Sequence, residues 1–385
     1  MKIDDKTSHN SPSIRFPEFT GEWEKCKLGT LATKVGSGST PKGGDAVYTS
    51  IGHYFVRSQN VGMGFLMLDN IAHINDDIHQ KHKATEIYEN DVLLNITGAS
   101  IGRTAVATKE LEGGNVNQHV CIIRTNSKVN PKFLCDYIQT QRIQNHIKSL
   151  QTGGSREGLN FEQIRSFPIS LPSINEQNKL TCLLDKINER IATQVRLIDR
   201  LQSLMIGIRH RIINEAKGKI VCLCEVSDIY QPQTISSADL TETGYPVYGA
   251  NGIIGHYTSY NHEAEQVCIT CRGNTCGGVN YTKSKSWITG NAMVVNVDRY
   301  QNIVSKRYLY HYLSNCDFNS IISGSGQPQI VRAPLAKFKI ILPTVMQQYK
   351  IAHCLDVIQN KINVNSNILN LLIRQKQYLL RKMFI

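Results

Sequence analysis

The chain has 385 residues, 41% of them hydrophobic and 19% charged, which is typical of a globular protein and is long enough for two domains with connecting segments. A formal net charge of +12 favours a polyanionic partner, most often nucleic acid. There is no apolar run long enough for a membrane span, and the polar stretch Met1–Ser13 lacks the pattern of a signal peptide. We therefore expect a cytoplasmic protein whose eleven cysteines are free thiols.

The first part of the chain is predicted to be a globular domain over residues 14–172, after a flexible tail at residues 1–13. Trp23 and Leu28 are early core candidates, and a glycine-rich loop occupies residues 36–44. The hydrophobic pattern predicts strands and then one helix, at Tyr54–Arg57, Val92–Ile96, Thr104–Ala107, Val120–Arg124 and Phe133–Leu150. A glycine-containing break at residues 152–155 ends this helix, and Phe167–Pro172 is predicted as an edge strand that closes the domain.

Two long helical patterns, residues 173–217 and 344–385, each follow a Leu-Pro pair. Their apolar residues alternate in steps of four and three, which is the spacing of a coiled-coil seam. A polar residue interrupts both seams at the same heptad, Gln194 in the first and Asn365 in the second. The predicted helix-pair interface consists of Leu184, Ile187, Ile191, Gln194, Ile198, Leu201, Leu355, Ile358, Ile362, Asn365, Leu369 and Leu372. The alternative is two separate amphipathic helices, each packed on its own domain.

A second globular segment, residues 218–343, repeats the order of the first. Val267–Gly273 lines up with Val92–Gly98, and Tyr308–Tyr312 lines up with Phe133–Tyr137. Its own feature is Asn251-Gly252 between β-favouring residues, a signal for a tight hairpin. The pattern indicates an internal duplication. The expected fold class is α+β, with two similar mixed α/β domains separated by two long antiparallel coiled-coil helices in a pseudo-two-fold repeat.

Several short motifs occur in a fixed order along the chain. They are Gly21-Glu-Trp23 with Leu28-Gly29, Tyr54–Val61, Leu93–Gly102, Tyr245–Gly252, Gly324–Gln329 and the doubled Leu-Pro-x-x-x-(Glu/Gln)-Gln. Each motif alone is weak, but their order and duplication are specific. From about Phe16 to Ile385 the chain resembles the specificity subunit of a bacterial type I restriction-modification enzyme.

The resemblance implies two target-recognition domains, each reading one half of a split site in double-stranded DNA. It also implies that the paired helices dock two modification subunits with methyltransferase activity, and that restriction (translocase) subunits join outside them. S-adenosylmethionine, ATP and Mg²⁺ are then expected on the partner subunits, with no cofactor in this chain. The sequence itself has no Gly-x-x-x-x-Gly-Lys-(Ser/Thr) loop, no Asn-Pro-Pro-aromatic stretch and no nuclease-like cluster of carboxylates and lysine. These absences favour a non-catalytic reader.

Candidate DNA contacts are basic and amide side chains in glycine-rich loops. Lys and Arg neutralise phosphates, Gln and Asn pair with adenine, and Arg pairs with guanine. The first domain offers Lys42, Arg57, Gln59, Arg103 and Arg156. The second offers Arg272, Asn274, Lys283, Lys285, Gln327, Gln329 and Arg332. Each of these residues is also typical of a solvated surface, so they are predicted as sets.

Two clusters resemble metal sites, yet we predict no metal. Cys268, Cys271 and Cys276 align in the repeat with Leu93, Ile96 and Ile101, so they are expected to be buried hydrophobes. His73, His79 and His82, with Asp76 and Asp77, are expected to form a solvated polar loop. His119 enters an apolar strand and is expected to be a hydrogen-bonded core histidine.

Other functions stay open on the sequence alone. The second long helix carries six Lys or Arg residues and one acid, Asp356, so it has either a solvated face or a surface for phosphates or an acidic partner. The rival classes are a fragment of a self-contained methyltransferase-nuclease, a stand-alone DNA- or RNA-binding regulator, and a protein adaptor whose charge is incidental. Methylation, specific binding by the lone chain and salt-independent protein association would distinguish them.

Overall fold

The chain forms two compact units in a computed structural model that describes residues 10–151, 158–324 and 326–385. One unit contains the residues through Thr193 together with Leu369–Ile385, and the other contains Gln194–Ile368. Each long helix therefore contributes to both units, whereas the sequence had suggested helical segments separate from the domains. In the described part of the chain, no helix is both long and apolar enough to span a bilayer.

The first unit combines short strands and helices with part of each long helix. Its elements are β1 (Glu24–Lys27), α1 (Leu28–Leu31), β2 (Ala32–Ser37), β3 (His53–Val56), β4 (Ala72–Ile74), α2 (Asp76–Lys81), β5 (Val92–Asn95), β6 (Thr104–Val106), β7 (Asn115–Val116), β8 (Val120–Thr125), α3 (Pro131–Ile138), α4 (Gln141–Ser149), α5 (Phe161–Arg165), β9 (Pro168–Leu171) and α6 (Ile174–Glu215). An antiparallel sheet has the order β2-β8-β5-β6. A second sheet has the order β4-β3-β7, and β1 pairs with β9.

The second unit repeats this topology. Its elements are β10 (Lys219–Cys222), α7 (Leu223–Val226), β11 (Asp228–Tyr230), β12 (Tyr245–Gly249), β13 (Gly252–Tyr257), β14 (Val267–Thr270), β15 (Val279–Tyr281), β16 (Trp287–Ile288), β17 (Ala292–Asn296), α8 (Lys306–Leu313), β18 (Ile322–Ser323), β19 (Gln329–Ile330), α9 (Arg332–Ala336), β20 (Lys339–Leu342) and α10 (Val345–Met383). The sheets have the orders β11-β17-β14-β15 and β13-β12-β16, while β10 pairs with β20. The predicted duplication is confirmed in the order of these sheets, and the second unit also pairs β18 with β19.

Matched glycines show that the alignment of the two repeats is correct. The turn after β5 has positive φ at Gly98 (67°) and Gly102 (84°), and the turn after β14 has positive φ at Gly273 (84°) and Gly277 (92°). Glycine reaches this region without the steric cost that other residues meet. Two tight turns therefore project from equivalent strands, in the place where the sequence predicted reading loops.

The predicted helix Phe133–Leu150 is two helices, α3 and α4, which meet at Thr140. The Thr140 hydroxyl donates to the Tyr137 carbonyl oxygen at 2.7 Å and accepts from the Ile143 amide at 3.5 Å. A threonine side chain that bonds the backbone in this way ends one helix and caps the next. The apolar periodicity continues across the break, so the sequence pattern alone did not show it.

The hydrophobic core of the first unit includes the end of the chain. Trp23 packs edge-on to Phe133 with ring centroids 6.0 Å apart, and Phe384 stacks on Phe133 at 5.4 Å. The Ile14 amide donates to the Lys382 carbonyl oxygen at 3.0 Å. The predicted flexible tail therefore does not extend to its expected end at residue 13: the Trp23 amide already donates to the Asn10 carbonyl oxygen at 2.9 Å. Residues 1–9 lie outside the described part.

A buried glutamine explains the doubled Leu-Pro joint. Gln177 donates to the carbonyl oxygens of Pro172 (2.9 Å) and Lys128 (3.1 Å) and accepts from the Asn130 amide (2.8 Å). Gln348 makes the three equivalent bonds at the start of α10. Because a buried carboxamide must satisfy its donors and acceptor, this residue fixes the start of each long helix against the loop before α3 or α8.

Candidate nucleic-acid interface and helix pair

In the first unit, a turn of 3₁₀ helix at Ser58–Asn60 follows β3 and presents Arg57 and Gln59. The Asn60 side chain accepts from the Arg57 amide at 3.0 Å and donates to the Met67 carbonyl oxygen at 2.9 Å, which holds the turn in shape. The Arg57 guanidinium lies 5.4 Å from the ring centroid of Tyr48, and its Nε has no partner in the described structure. Gln59 is exposed. Gln59 is therefore open to a polar contact, whereas the Arg57 Nε is itself buried and the side chain is half-buried.

Asn95, fully buried at the end of β5, links this turn to Arg103. Its side-chain amide donates to the Ser58 carbonyl oxygen at 2.8 Å, and its backbone amide donates to the Arg103 carbonyl oxygen at 2.8 Å. The exposed Arg103 side chain is thereby placed in the same region as the Ser58–Asn60 turn. Sequence reasoning missed Asn95, because a polar residue in an apolar strand gives no indication of its distant partner.

Lys42 lies exposed in a separate loop after β2. The Gly38 amide in this loop donates to the Asn117 carbonyl oxygen at 3.1 Å, and the Thr40 hydroxyl donates to the Gln118 side chain. The structure does not connect Lys42 directly to the Arg57 turn. Arg156 lies outside the described residues, so its place in the first unit stays a prediction.

In the second unit, the loop after β14 and the β18–β19 hairpin form one surface. Arg272 and Gln329 pair as an antiparallel bridge, and the Gly273 amide donates to the Pro328 carbonyl oxygen at 3.1 Å. The exposed side chains of Arg272, Asn274, Gln327 and Gln329 are therefore presented on two adjoining segments. Arg332, also exposed, begins α9 two residues after this hairpin.

The Asn251-Gly252 turn predicted from the sequence joins this surface. The Thr275 hydroxyl donates to the Asn251 side chain, and the Thr270 hydroxyl donates to the Ala250 carbonyl oxygen. Asn251 is a candidate reading residue that the sequence marked only as a turn former. The signal in the sequence is its side-chain amide, which has the chemistry to pair with adenine.

Lys283 and Lys285 lie on a different loop of the second unit, after β15. The Lys283 amide donates to the Tyr248 hydroxyl at 3.0 Å, and the Lys285 ammonium is 3.9 Å from Glu263. Both members of that ion pair are more than half exposed, so it contributes little to stability. The two lysines remain available to an anionic partner but are not joined to the Arg272 surface by any described contact.

Cys268 and Cys271 are buried as predicted, whereas Cys276 is only half-buried. All eleven cysteines are free, and all lie within the described ranges. Cys268 packs in the smaller cluster of the second unit and Cys271 in the larger one, as Leu93 and Ile96 do in the first. Burial raises the pKa of the Cys268 thiol, which disfavours the thiolate that zinc would need. Among the described residues, no cluster of His, Cys, Asp and Glu has the arrangement of a metal site.

The histidine predictions are corrected in part. Residues 76–81 form helix α2 rather than a solvated loop, and His79 is buried, with its Nδ1 2.8 Å from the Asn115 side-chain oxygen and its ring stacked on His53. His119 is hydrogen-bonded, at 2.6 Å to the Thr97 hydroxyl, but it is half-buried rather than in the core. Its carbonyl oxygen accepts from the Ile96 amide at 3.0 Å, so its backbone continues the β5–β8 ladder.

Helices α6 and α10 carry the predicted seam. All twelve predicted interface residues are buried or half-buried. In the first unit, Leu184 shares a core cluster with Leu380, and in the second unit, Ile213 shares one with Ala352. The start of α6 thus meets the end of α10 in the first unit, and the end of α6 meets the start of α10 in the second, as in an antiparallel pair. The four-and-three spacing would place Ile212 on the seam near the end of α6, but the buried residue there is Ile213, one position later.

The matched polar interruptions of the two seams are hydrogen-bonded to each other. Gln194 donates to the Asn365 side-chain oxygen at 2.6 Å and to its backbone carbonyl oxygen at 3.1 Å, and Asn365 donates to the Lys361 carbonyl oxygen at 2.7 Å. An isolated polar group at such a position would be unsatisfied. The pair therefore specifies which residues of the two helices face each other.

The long helices also expose apolar side chains outside the seam. Ile206 on α6 and Val357, Val364 and Ile368 on α10 are exposed, and the last three are spaced by seven and then four residues. Apolar residues at this spacing form one face of a helix. An exposed apolar stripe on a helix is typical of a surface that another helix covers.

The family model for the type I restriction modification DNA specificity domain matches this chain twice, at residues 20–203 and 216–374. The two matches correspond to the two repeats, and together they cover most of the chain.

Individual relatives agree with the family model. The specificity subunit of the type I restriction enzyme EcoprrI from Escherichia coli is 31% identical over 148 residues, which are 37% of this chain and 36% of that subunit. The EcoBI specificity subunit, also from Escherichia coli, is 24% identical over 135 residues, or 34% of this chain and 28% of the relative. The matched region thus spans about a third of the length of these curated relatives.

Solved structures show the same fold. The S subunit of a type I restriction-modification system from M. genitalium matches with a TM-score of 0.66 at 15% identity, over 97% of this chain and 99% of that chain. A chain from a structure of complex assembly in the type I R-M system matches with a TM-score of 0.57 at 18% identity, over 94% and 97%. With both repeats matched by the family model, the chain belongs to the family of type I restriction-modification DNA specificity domains.

Proposed function

We propose that this protein is the non-catalytic sequence-recognition subunit of a type I restriction-modification system. Each unit reads one half of a bipartite site in double-stranded DNA, and helices α6 and α10 dock two modification (methyltransferase) subunits. Restriction subunits join the full complex, which acts on DNA in the cytoplasm. S-adenosylmethionine, ATP and Mg²⁺ are bound by those partners.

The observation that carries this proposal is the repeated position of the loops. In both units, tight glycine turns after equivalent strands present exposed Arg or amide side chains, Arg103 in the first and Arg272 with Asn274 in the second. Phosphates are bound by Arg and Lys, and base edges are read by Arg, Asn and Gln. The two turns are equal in length but differ in residue type, and the connection after β3 is longer than the one after β12, which suits two different half-sites on one scaffold.

The docking part of the proposal rests on the helices. The exposed apolar residues of α10 would cost free energy if they stayed in water, and covering Val364, which is 56% exposed, contributes about 1 kcal/mol. Replacing Val364 by Asp should therefore weaken binding of the modification subunit and leave DNA binding by the isolated chain unchanged. Exposed Asn363→Asp, next to it on the helix, is the matched control.

The experiment that tests the function is methylome sequencing of a host that expresses this chain with and without its cognate modification subunit. Methylation at one split motif, seen only when both are present, is the expected result and gives both half-sites. Arg272→Ala should change recognition of one half-site, whereas exposed Arg299→Ala in the same unit should not. If an active modification subunit produces no new methylation, the chain is a stand-alone binder or an adaptor.

A further inference from the structure

The first unit has a loop that the second lacks. Residues 57–71 connect β3 to β4, whereas only residues 250 and 251 connect the equivalent strands β12 and β13. The loop exposes Met63 and Met67, and Phe65 is 57% exposed. Large apolar side chains concentrated on one projecting loop are typical of a surface that a partner covers.

Beside this loop is a pocket of about 360 Å³, which we name the Asp136 pocket. The loop residues Phe65, Leu66 and Leu68 form part of its wall, and α3 and α6 supply its polar side chains Lys132, Asp136, Asp185 and Asn188. Glu110 also lines it. The pocket therefore combines three acids and one base with an apolar wall.

The Asp136 carboxyl group is poorly satisfied. Its side chain is 5% exposed, and within the described structure it receives one hydrogen bond, from the Gln139 amide to Oδ1 at 3.3 Å. No described donor reaches Oδ2. The nearest base in the pocket, Lys132, pairs instead with Asp185 at 2.6 Å. A buried carboxyl group with a vacant oxygen that faces a pocket is ready to accept a donor from outside.

The second unit shows how the same place is satisfied internally. His311 occupies the position of Asp136 in the repeat, with its Nε2 2.8 Å from the Asp356 carboxylate, and the Arg307 Nε donates to the same carboxylate at 3.0 Å. Burial lowers the pKa of His311 to about 4, so it meets Asp356 as a neutral imidazole, and Arg307 is the counterpart of Lys132. The first unit has the acid Asp136 where the second has this imidazole, and Lys376, which also faces Asp136, donates instead to the Gln139 side-chain oxygen at 3.1 Å.

We propose that the Asp136 pocket binds a lysine or arginine side chain of a modification subunit, while Phe65 and its neighbouring methionines pack on apolar surface beside that side chain. This inference rests on the proposed function, because it names a contact with the partner of that function. A protein base fits better than DNA, since the acids of the pocket repel phosphates. The contact exists in only one of the two units, so the two docked modification subunits are not equivalent.

The test is the affinity of the full chain for its cognate modification subunit, measured by biolayer interferometry. Asp136→Asn and Phe65→Ser should each weaken binding at least tenfold, because they remove the charge and the apolar cover respectively. Exposed Asp69→Asn, in the same loop but outside the pocket, and Ile51→Ser, 84% exposed in another loop, are the matched controls and should bind like wild type.

The pH dependence of binding gives a second readout. Burial and the neighbouring Asp185 raise the pKa of Asp136 to about 7. The groups that face it are Lys132 on α3, Asp185 on α6 and Lys376 on α10. Since a basic side chain prefers the ionised carboxylate, wild-type binding should be about tenfold weaker at pH 6 than at pH 8, and the difference should vanish in Asp136→Asn.

The outcomes separate the two proposals. If wild type binds the modification subunit and both pocket variants bind equally well, the pocket inference is overturned and the proposed function stands. If wild type binds no modification subunit, the proposed function fails and the pocket inference fails with it. A folding defect would show as a lower melting temperature, whereas Asp136→Asn should be at least as thermostable as wild type at pH 8.

Discussion

The hydrogen-bonded pair Gln194–Asn365 is the sharpest test of how the long helices recognise each other. Gln194→Leu removes both bonds that join the helices, of 2.6 and 3.1 Å, whereas Asn365→Leu removes the 2.6 Å bond and keeps the backbone carbonyl that accepts the other. Asn365 is only 9% exposed, so its oxygen would be left without a donor in Gln194→Leu. Gln194 is half-buried and would recover part of its hydrogen bonding from water in Asn365→Leu.

These surroundings set the expected magnitudes. A buried polar group without a partner costs roughly 1–3 kcal/mol, so we expect about 2 kcal/mol for Gln194→Leu and about 1 kcal/mol for Asn365→Leu. The double replacement leaves no unsatisfied group and adds apolar surface to the seam. It should therefore be about as stable as wild type, which gives a coupling free energy of about 3 kcal/mol.

Hydrogen exchange at the helix amides near residues 194 and 365 is the appropriate assay, because a chain of two units has no single free energy of unfolding. Faster exchange in both single variants and recovery in the double variant are expected. Additive losses in the double variant would refute the reasoning, since they would mean that the two side chains act independently. The double variant should also tolerate shifted helix registers, because the polar pair that fixes the register is gone.

Three further predictions follow from single sites. Ile362→Asp should strongly weaken the helix pair and its assembly with the modification subunit, and Ile191→Asp should weaken them less. The reason is burial, since Ile362 is 6% exposed and Ile191 is half-buried. Melting temperature measures the first effect and size-exclusion chromatography the second. Gln327→Ala should alter methylation at one half-site only, measured on DNA substituted in either half. The melting temperature of Asp136→Asn should exceed that of wild type by more at pH 8 than at pH 4. The carboxyl group of Asp136 ionises near pH 3.8 in the unfolded chain and near pH 7 in the folded one. Wild type therefore loses up to about 4 kcal/mol of stability as the pH rises through that window, and the variant does not.

Each of these predictions has a contrary result. Normal assembly of both charged seam variants would show that the long helices do not depend on each other. Equal loss of methylation at both half-sites in Gln327→Ala would indicate a folding defect rather than a lost base contact. The same difference in melting temperature at pH 4 and pH 8 between Asp136→Asn and wild type would show that the carboxyl group titrates normally in the folded protein.

Local periodicity in the sequence predicted the long helices and several strands of this protein. The heptad spacing of residues such as Leu184 and Leu355 predicts long helices, and short apolar runs predict β5, β6 and β8 to within about two residues of their observed ends. The internal repeat then predicted that Cys268 and Cys271 are buried, because they align with the apolar residues Leu93 and Ile96. These features depend on neighbours along the chain, so the sequence carries them directly.

Other features depend on residues that meet only after folding. The burial of His79 against His53, the joining of Arg103 to the Ser58–Asn60 turn through Asn95, and the packing of Phe384 on Trp23 all pair residues that are distant in sequence. The Asp136 pocket is of the same kind, since Asp136 and Asp185 become neighbours only when α3 lies on α6. The sequence by itself therefore determined the secondary-structure elements, their duplication and the family. The tertiary structure decided which polar groups share a surface and which are left without a partner, because desolvation and pairing act through space rather than along the chain.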